Sequence, residues 1–180
     1  SLFMSIIIGT QLFRGLENAG SFHQLETGLR YPSLIYAVLL SMITLLTWFL
    51  VKTAGEFVFA SSSKKAVRTI NLMAYTLVPI ATAFELGYHL ERILNNAGQM
   101  IPVMGRQLGF DWSSFGLSAA PWVPKTIQIL VIIIGALASK AVLKKLILSY
   151  QELPSKRLSL RQHWPIVLLS IVYIWLFWAG

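Results

Sequence analysis

The sequence predicts an all-α, polytopic transmembrane helical bundle with four full spans plus a fifth apolar segment at its start. Three observations carry that prediction. Apolar residues make up 56% of the 180 positions, against roughly 45–50% in soluble domains. Mean hydropathy is +0.66. Charged residues amount to 12% and cluster between apolar runs. Helices that close their own backbone hydrogen bonds inside lipid account for all three. The net charge of +8 does not call for nucleic acid, because the basic residues sit in short stretches flanking apolar runs, where membrane topology explains them. The partners expected are therefore membrane lipids and other membrane subunits. The chain has no cysteine, which excludes disulfides, thiolate zinc sites and cysteine-ligated iron–sulfur clusters within it.

The opening run SLFMSIIIGTQLF, residues 1–13, is shorter than the roughly 20 residues a span needs. It is read as a partial or unusually short span. No basic region precedes it, so it does not read as a signal peptide. Residues 14–32 form a polar connection. The first full span covers 33–51, with Trp48 as an interface anchor near its end. Residues 52–69 carry Lys52, Lys64, Lys65 and Arg68 around a serine-rich turn. The second span, 70–94, contains Pro79, which removes a backbone donor and predicts a kink.

Residues 95–125 are rich in Met, Phe and Trp. They read as an interfacial loop holding a short helix capped by Asp111 or Ser113. The third span, 126–148, ends in Lys140, Lys144 and Lys145, whose long stems reach back to the headgroups. Its Gly135 and Ser139 form a small-xxx-small pair suited to close helix packing. The last span, 164–178, ends in the aromatic run IWLFWAG. Segments 52–69 and 140–162 together hold ten of the 15 basic residues. The positive-inside rule therefore puts them on the cytoplasmic side, and 14–32 and 95–125 outward, as for a bacterial inner membrane.

The second span carries the chemistry. Glu85, His89 and Arg92, with Thr82 one turn earlier, share one helical face. Ionisable residues at membrane depth are costly and are paired, buried or functional. Two readings stand for this stripe. One is a proton path beside an outer-side quinol pocket, with Glu85, His89 and Arg92 as its residues. The other is a self-neutralising network satisfied by i,i+4 and i,i+7 contacts. His23 and His89 lie toward the same side and are the candidate ligands of a b-type haem. Against that stands a loop histidine and a His89–Glu85 hydrogen bond. Met100 and Met104, with His89, offer soft ligands to Cu(I), or else simple membrane contacts. No phosphate-binding glycine loop, nucleophile elbow or zinc-protease pattern is present.

The segment LVPIATAFELGYHLERIL, followed by AGQMIPVMG, GFDWSSFG, a glutamine-containing third span and RQHWP, resembles a pattern in bacterial membrane proteins. That pattern belongs to the membrane regions of polyferredoxin-type proteins, including relatives of the nitrous-oxide-reductase maturation flavoproteins, and to stand-alone membrane proteins. The resemblance covers about residues 70–180. In the pattern, histidines stand where this chain has Glu85 and Arg92, and the cluster cysteines have no counterpart here. The resemblance implies a redox-associated membrane family without implying a redox centre in this chain. The expected function is a non-catalytic membrane subunit of a respiratory or related electron-transfer complex, with quinone or haem shared with partner subunits. The alternatives are a small transport or copper-handling protein and a purely structural accessory subunit.

Overall fold

A computed structural model describes residues 2–18, 32–59, 66–112, 120, 122–150 and 162–179. They form five α-helices: α1 (Leu2–Asn18), α2 (Pro32–Phe59), α3 (Ala66–Gln107), α4 (Trp122–Tyr150) and α5 (Trp164–Ala179). Among the described residues there is no strand. Three stretches are long and apolar enough to cross a membrane: Ser33–Phe59, Thr69–Leu94 and Trp122–Ser149. The protein is thus all-helical with the character of a membrane protein. α5, at 16 residues, and α1, at 17, are each about 25 Å long at the helical rise, short of a hydrocarbon core of about 30 Å.

Consecutive helices run antiparallel, as the contacts along each pair show. Gly9 on α1 meets Thr44 on α2, Gly55 on α2 meets Thr69 on α3, and Gly87 on α3 meets Gln128 on α4. Lys125 on α4 reaches the Trp178 carbonyl near the end of α5. α3 is the hub and packs against all four other helices. Its apolar stretch is 61% buried, against 11% for that of α2. The core gathers on α3 around Met73, Ile80 and Phe84, with Ile132 and Leu143 of α4 and Tyr173 of α5. Outward faces are apolar as well. Leu34, Met42, Leu45 and Phe49 on α2, and Ile134 and Leu137 on α4, are exposed. An apolar surface this extensive is untenable in water and ordinary in hydrocarbon.

The tightest crossing is between α3 and α4, where Pro79 lies inside α3. The Ile80 N–H donates to Ser139 Oγ at 3.2 Å, so a backbone donor next to the proline is satisfied from the neighbouring helix. A Cβ on Gly135 would overlap the Ala83 methyl and stand 3.2 Å from both Ile80 Cα and the Pro79 carbonyl oxygen. The pair Gly135 and Ser139 therefore does what its spacing predicts: it lets two backbones approach.

Several sequence-based boundaries need correction. The opening segment drawn at 1–13 continues as α1 to Asn18, into the connection drawn at 14–32, and α4 starts at Trp122 rather than 126. Residues 95–107 do not belong to an interfacial loop; α3 continues through them to Gln107. Asn95, Asn96 and Gly98 look like breakers, but each costs a long helix only up to about 1 kcal/mol, and propagation from an existing helix is easy. Asn96 donates its amide to the Arg92 carbonyl at 2.8 Å. The true stop is Gly109, at φ 79°. There Phe110 N–H reaches the Gly105 carbonyl at 2.8 Å and Gly109 N–H that of Arg106 at 3.3 Å, the paired bonds of a Schellman ending. Asp111 itself is not helical, and the short helix expected after it falls on residues 113–119, outside the described residues. Likewise, the connection drawn at 52–69 is partly helical, since α2 continues to Phe59 and α3 starts at Ala66.

The crossing makes a prediction. Gly135→Ala should lower stability in detergent by roughly 1–3 kcal/mol, the usual cost of overpacking. Adding Ala83→Gly should recover part of the loss, because it removes the first atom that the new methyl meets. Thermal unfolding of the wild type, both single variants and the double variant measures this.

Candidate functional site

α1 turns Met4, Ile8, Gln11 and Gly15 inward, a stripe spaced three and four residues apart as one helical face requires. Gln11 is fully buried, and its amide is used at both ends. Nε2 donates to the Ala81 carbonyl at 3.0 Å and to Glu85 Oε1 at 3.3 Å. Oε1 accepts from the Tyr173 hydroxyl at 2.6 Å. One side chain thus joins α1, α3 and α5. Tyr173 packs against Phe84 at 4.3 Å, and Phe84 stacks on Phe177 at 4.7 Å, so the hydroxyl is held by a well-packed ring.

One turn further along α1, Arg14 Nη1 donates to Glu85 Oε2 at 3.1 Å and Oε1 at 3.4 Å. Both side chains are about one-third exposed. Glu85 lies nine residues before Leu94, where the apolar stretch of α3 ends, or roughly 13 Å at the helical rise. A carboxylate at that depth needs a counter-charge, and α1 supplies it. His89 Nε2 stands 3.7 Å from Glu85 Oε2, an ion pair whenever the imidazole carries its second proton. Arg92 does not reach Glu85. It bonds to the Tyr88 hydroxyl and lies 4.6 Å from that ring's centroid, with Arg14 at 5.1 Å. The ring's negative face favours both cations.

A second polar tie lies between α3 and α4. Buried Gln128 donates to Glu91 Oε2 at 2.6 Å and to the Gly87 carbonyl at 3.5 Å. Its Oε1 is buried without a partner among the described residues. Beside the first network a cleft of about 600 Å³ opens between α1 and α3. Phe3, Ile7 and Val78 line its apolar length, and Gln11, Thr82 and Glu85 bring polar groups to it.

The structure brings Glu85 and His89 together and adds partners that the sequence stripe did not name: Gln11, Arg14, Tyr88 and Tyr173. The i,i+7 contact expected between Glu85 and Arg92 is absent; the neutralising cation comes from another helix. A glutamine and an arginine three residues apart in an apolar run were the available signal for the α1 half of the site. His89 is exposed, with its side chain 61% accessible, and the candidate haem partner His23 lies outside the described residues. Met100 and Met104 are exposed, 62% and 54%, one turn apart on the extension of α3. The copper set is not assembled: His89 is eleven residues before Met100 on the same helix, or roughly 16 Å along its axis, too far to share an ion. Among the described residues no group of three or more His, Cys, Asp or Glu converges on a point.

Comparison of the chain with protein-family models, with curated proteins and with solved structures finds no match.

The Arg14–Glu85 tie predicts non-additive stability. Arg14→Leu or Glu85→Leu alone should cost about 1–3 kcal/mol, between the values for exposed and fully buried pairs. The double variant should lose less than the sum, because neither charge is then left unpaired. Denaturant unfolding in micelles, run as a double-mutant cycle, reads the coupling; strict additivity would show the pair to be idle.

Proposed function

We propose that the chain is an integral membrane subunit of a respiratory or related electron-transfer complex, and that the α1–α3 cleft receives a quinol. In this reading α1 and α5 also cross the bilayer, as the fifth and fourth spans of the up-and-down bundle. The ends of α2 and α4 that carry Lys52 and Lys140 face the cytoplasm of a bacterial cell, and the Glu85 network lies toward the outer leaflet.

One observation carries the reading: Glu85, tied to Arg14 and Gln11, borders a cleft whose walls are mostly apolar. Ligand sites combine mostly apolar walls with a few convergent polar groups, and a quinol has matching parts. Its hydrocarbon tail fits along Phe3, Ile7 and Val78. Its ring hydroxyls find acceptors in the Glu85 carboxylate and in the lone pairs of the Thr82 hydroxyl, whose own proton goes to the Val78 carbonyl. A carboxylate there can also take up a proton when the quinol is oxidised. The electrons then pass to a redox centre on a partner subunit, since this chain has no cysteine to ligate an iron–sulfur cluster. The resemblance of residues 70–180 to polyferredoxin-type membrane regions points the same way.

The closure of the Glu85 network by its own neighbours supports a second reading, a purely structural accessory subunit. Quinone content separates the two. Thr82 is exposed and lines the cleft, so Thr82→Phe narrows the space without entering the core. The complex purified with this variant should retain markedly less extractable quinone at unchanged stability. Glu85→Gln should weaken quinol binding about tenfold, as loss of a hydrogen bond to a charged group does. Unchanged quinone content and turnover in both variants would leave the structural reading.

A further inference from the structure

The far end of the bundle holds a second feature that the quinol reading does not use. Between α4 and α5 runs a groove of about 270 Å³. Ile133, Leu137, Val167 and Ile171 line it, and all four are exposed. Lys140 and His163 stand together at one end. Lys140 is exposed, with no ion pair among the described residues. His163 is half-buried, and its Nδ1 is shut off from solvent without a hydrogen-bond partner among the described residues.

We propose that this groove binds one anionic phospholipid, with an acyl chain along Ile133, Leu137 and Ile171 and the phosphate between Lys140 and the His163 ring. The arrangement has the two parts such a lipid requires. An apolar channel that faces hydrocarbon ends in a cation at headgroup level, and basic pockets between membrane helices hold acidic headgroups in this way. The lone Nδ1 is the second, independent sign. A buried polar atom without a partner is costly; the ring is only half-buried, so a turn of the side chain brings Nδ1–H to a phosphate or glycerol oxygen of the lipid. Burial, with the Lys140 charge adding to it, holds the His163 imidazole below the usual histidine range. The ring is therefore neutral near pH 7 and donates one N–H, while Lys140 carries the charge. Lys144 and Lys145 lie on the same helix but do not line the groove. This separates a defined site from a diffuse basic rim. The proposal needs only the bilayer placement of α4 and α5 and stands apart from the quinol reading.

Native mass spectrometry of the full chain tests it, with phosphatidylglycerol, phosphatidylcholine of the same acyl chains, and inorganic phosphate as probes. The wild type should retain phosphatidylglycerol in preference to phosphatidylcholine and should not retain inorganic phosphate. Lys140→Gln should cut phosphatidylglycerol retention about fivefold, as loss of one lysine near an anionic surface does, whereas Lys144→Gln should leave it unchanged. Ala136→Phe, which fills the groove without changing charge, should lower retention of the lipid. Equal retention of the two lipids by the wild type would overturn the proposal. So would an equal loss in Lys144→Gln and Lys140→Gln, or retention of inorganic phosphate as strong as that of the lipid.

Discussion

A carboxylate placed well inside an apolar helix must find a cation, and here that cation comes from a different helix. Arg14 on α1 meets Glu85 on α3 at 3.1 Å, and much of the architecture of that end of the bundle follows. α1 is too short to be held by apolar area alone as firmly as α4 is. The ion pair, together with the Gln11 amide, fixes both its register and its rotation against α3. Turning α1 by one residue would swing Arg14 about 100° away from Glu85 and expose the Gln11 amide to hydrocarbon. Because Gln11 also accepts from Tyr173, the same constraint reaches α5. Three parallel helices are thus keyed to one another by four polar side chains.

The same logic governs the rest of the bundle on a smaller scale. Hydroxyls on the apolar helices are answered within their own turn: Ser41, Thr47, Thr76, Thr82 and Ser170 each donate to the carbonyl four residues back. A hydroxyl turned onto its own helix leaves no donor facing lipid. Ser139 differs, since it accepts from Ile80 on α3. It sits where the proline has disturbed the ladder and Gly135 has let α4 close in. Proline, small residue and acceptor are one device, and its α3 part lies one to two turns from Glu85. Among the described residues, the buried Gln128 Oε1 and His163 Nδ1 are the exceptions to this economy.

How much of this was legible in the sequence depended on whether the signal was local. The apolar runs, the inner proline, the small pair at Gly135 and Ser139, and the proximity of Glu85 to His89 all depend on spacing along one helix, and spacing can be read. Three long apolar helices followed from it. The end of α3 did not, because Asn95, Asn96 and Gly98 resemble a stop while the real stop needs the positive φ of Gly109 and its paired carbonyl bonds. Partners across helices were also out of reach. Arg14 opens the polar connection that the sequence predicts at 14–32, yet it falls within α1 and inside the site. Nothing in the local pattern sets Tyr173 apart from the other aromatic residues of its span. Arg92 was grouped with Glu85 by periodicity, but the Tyr88 ring between their turns captured it.

The cleft beside Glu85 follows from side-chain size. The face of α3 that looks along it carries Ala74, Ala81 and Thr82, which leave room, while the keying of α1 by Gln11 and Arg14 prevents that helix from sliding in to fill the gap. A void of about 600 Å³ forfeits the dispersion contacts its walls would otherwise make. In a bilayer such a space does not stay empty; hydrocarbon enters it from the lipid side. What distinguishes this space from any groove between helices is the carboxylate at its border. A plain lipid tail gains nothing from Glu85, whereas an amphiphile with a hydroxylated ring gains a hydrogen bond that lipid cannot offer. The ion pair that positions α1 thereby also sets the chemistry by which an occupant would be chosen.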